Sequence, residues 1–146
     1  MADPKGKIVG RGWGFPPTFS KRNLGAAGME CGVEMVEGAE DIEQSLTLLF
    51  GTSPGERPLV PRYGCDVKRF LFQALELTIQ TELQDTLSTA ILNWEPRIHV
   101  NDLQVDASGY PDSVLKVSLD YTVIATNSRI NRVFPLYLDE GTNLKD

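Results

Sequence analysis

The stretch N-W-E-P-R-I-H-V, Asn93 to Val100, sets a carboxylate and a guanidinium two residues apart across a proline. Two kinds of chemistry can use that spacing. A glutamate beside a tryptophan can act as a general acid if burial keeps it protonated. Alternatively the trio forms a stiff charged corner that another protein grips, because a carboxylate and a guanidinium fork are both strong, directional hydrogen-bonding groups. Pro96 disfavours helical backbone at the residue before it, so Glu95 is expected extended and the preceding helix is expected to end near Trp94. Residues two apart in an extended stretch point to the same side. Glu95 and Arg97 would then project outward together, with Trp94 beside them as an apolar plate. If the pair only meets solvent, it contributes at most about 1 kcal/mol.

The general-acid reading makes further demands. A glycoside hydrolase needs two carboxyl groups, separated by roughly 5–5.5 Å for retention or 6.5–9.5 Å for inversion, and one of them must have a raised pKa. Arg97 on the same side as Glu95 would stabilise the carboxylate, which is the wrong direction for an acid. The best second carboxyl is Glu56, in a separate loop, with nothing in the sequence to set it opposite. No groove of spaced aromatics is visible for a sugar chain. Catalysis through Glu95 is the weaker reading, and from the residues alone a solvated ion pair is the default.

The whole chain narrows the choice. At 146 residues it is long enough to bury roughly two thirds of its unfolded surface in one domain. The net charge of −6 argues against a nucleic-acid or anionic-membrane partner. No apolar run approaches the roughly 20 residues that span a bilayer, and the opening M-A-D-P-K-G-K lacks the apolar core of a signal peptide, so synthesis and folding in the cytoplasm are expected. Cys31 and Cys65 fit no metal-ligand spacing and read as reduced, small apolar fillers. With His99 the sole histidine, a His-rich metal site or a His-based triad has few parts, and no cofactor is expected. His99 itself reads as a strand-face residue.

The elements that must carry the corner follow from periodicity. Residues 1–30 read as an extended N-terminal arm, in which G-R-G-W-G-F-P-P-T-F-S holds Trp13, Phe15 and Phe19 on a polyproline-like strap, as anchors for a partner or for its own domain. K-R-N-L-G-A-A-G reads as a flexible connection, and C-G-V-E-M-V-E-G as one short strand through Val33 and Met35. Residues 31–146 read as a single domain. Gly38 opens a first helix with Glu40, Asp41 and Glu43 near its start; Ile42, Leu46, Leu49 and Phe50 share a face, and Gly51 stops it. T-S-P-G-E-R-P-L-V-P-R-Y-G, 52–64, is a shaped loop with Pro54-Gly55 suited to a type II turn and Glu56 and Arg57 at its tip.

Leucine and isoleucine recur every four residues from Leu71 to Ile91. Such a row drifts about 40° per step around a 3.6-residue helix, so two helices are expected, 66–76 and 79–94, with Thr78 or Thr81 available as a cap. Three strands follow. Ile98 and Val100 differ in parity from Leu103 and Val105, which predicts a bulge near Asn101–Asp102. A turn is expected in A-S-G-Y-P-D-S. V-L-K-V-S-L-D-Y-T-V-I-A alternates without error, T-N-S-R-I-N turns, and R-V-F-P-L-Y-L belongs on an edge because Pro135 lacks a donor. Tyr121 and Phe134 read as core. The expected fold is α+β: two to three helices packed on an antiparallel sheet of about three to four strands.

G-R-G-W-G-F-P-P-T-F-S (10–20), G-A-E-D-I-E-Q-S-L-T-L-L-F-G-T-S-P-G-E-R-P-L-V-P-R-Y-G-C (38–65) and I-L-N-W-E-P-R-I (91–98) follow one another as in the baseplate wedge proteins of contractile phage tails. That family includes counterparts in type VI secretion and in phage-tail-like extracellular injection systems, a stress-response anti-adaptor, and members labelled lysozymes. Glu95-Pro96-Arg97 resembles its defining motif. The resemblance implies a structural adaptor, not an enzyme, that joins the baseplate to the first sheath ring. The implied partners are large wedge proteins, which contact Glu95, Pro96 and Arg97, and sheath subunits, which add strands to the sheet. Inner tube or hub proteins are further implied neighbours, with six copies of the chain per particle and no nucleic acid or membrane insertion. Glu56, Arg57, Trp13 and Phe15 are secondary candidates for partner contact. The aromatic opening points to a phage or extracellular system ahead of a type VI system.

Overall fold

Leu115, Val117, Leu119, Tyr121 and Val123 alternate along one strand, and all five are buried, so the strand's parity fixes which face of the sheet is the core. The structure is a computed structural model that describes residues 9–23, 28–70, 73, 76–106 and 114–137. The described elements, in order, are β1 (Arg11–Trp13), β2 (Phe19–Asn23), β3 (Met29–Val33), β4 (Met35–Glu37), α1 (Ala39–Gly51), a short 3-10 turn (Lys68–Phe70), α2 (Leu77–Trp94), β5 (Ile98–Asp106), β6 (Val114–Val123) and β7 (Ser128–Tyr137). Strands and helices are segregated along the chain and every pairing is antiparallel, so the class is α+β as expected. The chain divides into two compact units, residues 1–45 and 46–146.

In the second unit β5, β6 and β7 form a meander in the order β5-β6-β7. The register pairs Val100 with Tyr121 and then Asp102 with Asp120, which leaves Asn101 as the extra residue of a bulge. This is the bulge that the change of parity predicts. Asn101 turns its amide to Thr122 (2.9 Å) and Asp120 (3.3 Å) on the outer face. Arg129 of β7 also donates to Asp120, through Nε at 3.0 Å, so one carboxylate ties all three strands together. That guanidinium holds the Asp120 carboxyl below its ordinary range.

Ile124 N–H donates to the Arg97 carbonyl at 3.0 Å, extending the β5–β6 ladder by one pair. Main-chain groups alternate sides along a strand, so Lys116, Ser118, Asp120 and Thr122 face β5 and the residues between them face β7. Pro135 lies opposite Lys116. Its main chain therefore points away from β6, and its missing N–H removes no bond from the sheet. β7 begins at Ser128 after a tight turn with Asn127 at φ 51°, four residues earlier than the sequence suggests. The turn expected in A-S-G-Y-P-D-S lies outside the described residues.

Beneath this sheet Phe50 meets Phe134 edge to face, with ring centroids 5.4 Å apart. Leu83, Leu87, Ala90 and Ile91 form the buried stripe of α2. The expected helix over 66–76 is corrected as far as residues are described. Residues 65–70 are irregular and then 3-10, with Val67 N–H turned to Cys65 and Phe70 N–H to Val67. The break is real, but α2 starts at Leu77 with Glu76 as a cap that makes no side-chain bond. Thr81 does not cap either; its hydroxyl donates to the Leu77 carbonyl (2.9 Å).

The first unit corrects the picture of a single strand at 31–38. Met29–Val33 and Met35–Glu37 are separate strands with different partners: β2 pairs with β3, and β1 with β4. The stretch expected as a connection supplies Lys21–Asn23 to the β2–β3 ribbon. Glu34 joins the ribbons through its own peptide groups, donating to Thr18 (3.0 Å) and accepting from Gly14 (2.8 Å). Trp13, Phe15 and Phe19 are all exposed, and Gln44 donates to the Phe15 carbonyl at 2.9 Å. Cys31, expected as a filler, is exposed on β3, whereas Cys65 is buried; both are free thiols.

Candidate functional site

The charged corner is built by the end of α2. Glu95 N–H still donates to the Ile91 carbonyl (2.8 Å), so the last helical turn places Glu95 even though its own backbone has left the helix at φ −127°, ψ 76°. Pro96 follows as an exposed bend, and Arg97 enters the sheet through its carbonyl bond to Ile124. Glu95 and Arg97 do meet side by side. Arg97 Nε donates to Glu95 Oε1 at 2.6 Å and Nη2 to Oε2 at 2.8 Å, a forked pair that uses both carboxylate oxygens.

The direction differs from the sequence-based expectation. Glu95 does not project outward: only 3% of it is exposed, while Arg97 keeps 29% of its side chain accessible. The cause is the retained bond to Ile91. The chain turns at Pro96 and Arg97 and becomes a strand only at Ile98, so the carboxylate stays with the buried side of the helix end. A buried carboxylate is stable only when matched by charge and hydrogen bonds, and the guanidinium fork supplies both.

A second element reaches the corner. Trp94 packs edge-on against Tyr63, with centroids 5.3 Å apart, and the Arg57 guanidinium lies 4.1 Å from the centre of the Tyr63 ring. Burial pushes the Tyr63 phenol up, Arg57 opposes that shift, and the Glu95 charge adds to it. The loop 52–64 and the corner are therefore one site. Sequence reasoning missed Tyr63, because only a long-range contact identifies it; its position at the foot of a Pro- and Gly-rich loop is the one available hint.

The loop is internally braced. Ser53–Glu56 forms the expected turn, closed by Glu56 N–H to the Ser53 carbonyl (3.2 Å), with Gly55 at φ 91° as type II geometry requires. Cys65 N–H donates to the Thr52 carbonyl (2.8 Å) at the base, and Gly55 N–H reaches across to Pro61 (2.7 Å). Gly64 makes this closure possible. It sits at φ 124°, and a Cβ there would lie 2.4 Å from the Thr52 carbonyl oxygen. Glu56 is bound by Lys68 Nζ at 3.1 Å, and that bond, with the Ser53 backbone, holds its carboxyl below the ordinary range. Trp13 and Phe15 belong to the 1–45 unit.

Chemically, the arrangement suits recognition. A carboxylate already gripped by two guanidinium N–H groups is a poor proton donor, and Glu56 is ion-paired as well. Among the described residues no cluster of His, Cys, Asp and Glu has the makings of a metal site. No helix among them is long and apolar enough to cross a membrane.

Comparison with known proteins bears on the same region. The family model of the baseplate wedge protein gp25 matches residues 36–128, which include α1, the loop, α2, the corner, β5 and β6. Baseplate wedge protein gp25 of Enterobacteria phage T4 is 30% identical over 99 residues, spanning 66% of this chain and 72% of that protein. A Geobacter sulfurreducens crystal structure that bears the name of a tail lysozyme superposes with a TM-score of 0.65 at 31% identity, over 70% of this chain and 92% of its own. A chain of the anti-feeding prophage baseplate shares the fold across 96% of this chain and 94% of its own, with a TM-score of 0.61 at 24% identity.

Proposed function

This chain belongs to the baseplate wedge protein gp25 family, and on that premise we propose that it links large wedge proteins to the first sheath ring of a contractile injection machine and starts sheath assembly. A phage tail or an extracellular injection system is the favoured parent, and six copies per particle are expected. The observation that carries this reading is the corner itself. Glu95 fixes the guanidinium plane of Arg97, Pro96 fixes the bend, and Trp94, Tyr63 and Arg57 brace it from the loop side. Pro96 and the accessible part of Arg97 then form the surface that wedge proteins grip, and Glu95 acts as a positioning residue rather than a direct contact. The exposed Trp13 and Phe15 serve as a separate aromatic contact.

Sheath subunits add strands to the meander. Strand addition gains affinity from main-chain hydrogen bonds along an open edge, and β5 and β7 are the outer strands of the sheet. Pro135 faces its absent donor to the β7 edge, so β5 is the more complete template. Machines of this kind need durable contacts, of the order of 2,000 Å² or more summed over partners.

The name carried by the Geobacter structure raises a second reading, a peptidoglycan hydrolase using Glu95. The forked ion pair opposes it. One experiment separates the two. Glu95→Gln and Arg97→Ala, introduced into the gene among its genomic neighbours, are expected to abolish particle assembly, while the purified wild-type chain leaves peptidoglycan uncut. Lytic activity that disappears in Glu95→Gln, with assembly intact, would reverse the assignment.

A further inference from the structure

Leu59 stands at the crown of the 52–64 loop with 96% of its surface exposed, and Val60 beside it is 41% exposed. A leucine in a slack loop could fold back onto the nearest apolar surface; this loop prevents it. Gly55 N–H is bound to Pro61, Val60 N–H to Arg57 (3.2 Å), and Tyr63 N–H to Val60 (3.0 Å), so the crown is held from within. Pro58 and Pro61 restrict the backbone on either side of Leu59 and Val60. Arg57 is pinned on the Tyr63 ring and Glu56 on Lys68. The leucine is presented on a braced backbone, so binding has little loop left to order and mainly fixes the Leu59 side chain.

The charge around it is the reverse of the molecule's. The chain as a whole carries −6, yet residues 56–69 contain Arg57, Arg62, Lys68 and Arg69 against Glu56 and Asp66. Arg57 and Arg62 flank the leucine, and both are exposed. A convex apolar tip between cations calls for a concave apolar socket rimmed by carboxylates. A nucleic acid offers phosphates but nothing for an exposed leucine. A lipid surface would meet one leucine in a chain whose net charge repels it.

We propose that the 57–62 crown is a second docking element, a Leu59 knob that enters an acidic-rimmed apolar socket on a partner protein. The Tyr63–Trp94 contact joins it to the charged corner, so both elements address the same assembly. This inference rests on the adaptor reading and extends it to a residue and a partner chemistry.

The test places a photoreactive benzoylphenylalanine at position 59, and separately at position 96, in the full chain expressed with its genomic neighbours. The expected result at 59 is an adduct to a protein segment with at least two carboxylates close to the linked apolar residue. Arg62→Glu, which leaves the Arg57–Tyr63 stack in place, should reduce that adduct at least tenfold with an unchanged melting temperature. An adduct at 96 with none at 59 would overturn the docking crown and leave the adaptor reading standing. No adduct at either position would remove both. Linkage of 59 to nucleic acid, to lipid or to a segment without carboxylates would overturn the crown's assignment, as would an adduct indifferent to Arg62→Glu.

Discussion

A single ion pair determines how the corner can be used. Burying Glu95 is tolerable because Arg97 returns two short hydrogen bonds. Removing Arg97 strips the buried carboxylate of its forked counter-charge, so Arg97→Ala should destabilise the fold by about 3–5 kcal/mol. Urea unfolding monitored by tryptophan fluorescence measures this. Arg97→Lys keeps the charge but loses the fork, so a smaller loss is expected. Assembly assays on these variants need that stability reference, since a chain that unfolds also fails to assemble. The two thiols give an independent check on packing. Burial, with the Asp66 charge adding, pushes Cys65 up to about 11, whereas Cys31 is exposed. At pH 8 one equivalent of a thiol reagent should therefore react at Cys31 while Cys65 stays protected until the chain unfolds. The sign for stability follows from the raised thiol. Its contribution is complete below the ordinary thiol range near 9 and is lost as pH rises toward about 11.

At the scale of elements, what could be read in advance was whatever leaves a local signature. The alternation of β6, the parity change that marks the Asn101 bulge, the Pro54-Gly55 turn, and the start and stop glycines of α1 each follow from a few neighbouring residues. Elements decided by distant contacts were not legible. The four-residue leucine row suggests helix at 66–76, but residues 65–70 turn irregularly and then as 3-10, with Cys65 bound back to Thr52 at the base of the loop. The N-terminal stretch carries weak strand signals, and its ribbons depend on pairing Phe19 with Val33 and Arg11 with Glu37. Glu95 and Arg97 were legible as a pair. Their direction was not, because it depends on whether the last helical bond, to Ile91, survives the following proline. The loop's closure makes its own prediction. Gly64→Ala should introduce about 1–3 kcal/mol of backbone strain plus a clash with Thr52, whereas Gly51→Ala meets open space. Limited proteolysis should cut the Gly64→Ala loop faster than the wild type and leave the Gly51→Ala loop resistant.

For the molecule as a whole, the family sets the setting and the geometry narrows the contacts. One unit carries exposed aromatics on paired ribbons; the other carries a meander with two outer strands, a buried-ion-pair corner and a braced loop. The most direct test is electron cryo-microscopy of particles purified from cells that carry the gene with its neighbours. Pro96 and Arg97 should be covered by wedge-protein side chains, the Glu95–Arg97 fork should persist beneath them, and an added strand should lie along an outer edge of the meander. A baseplate in which that corner faces only solvent, with no other chain within contact distance, would contradict the account.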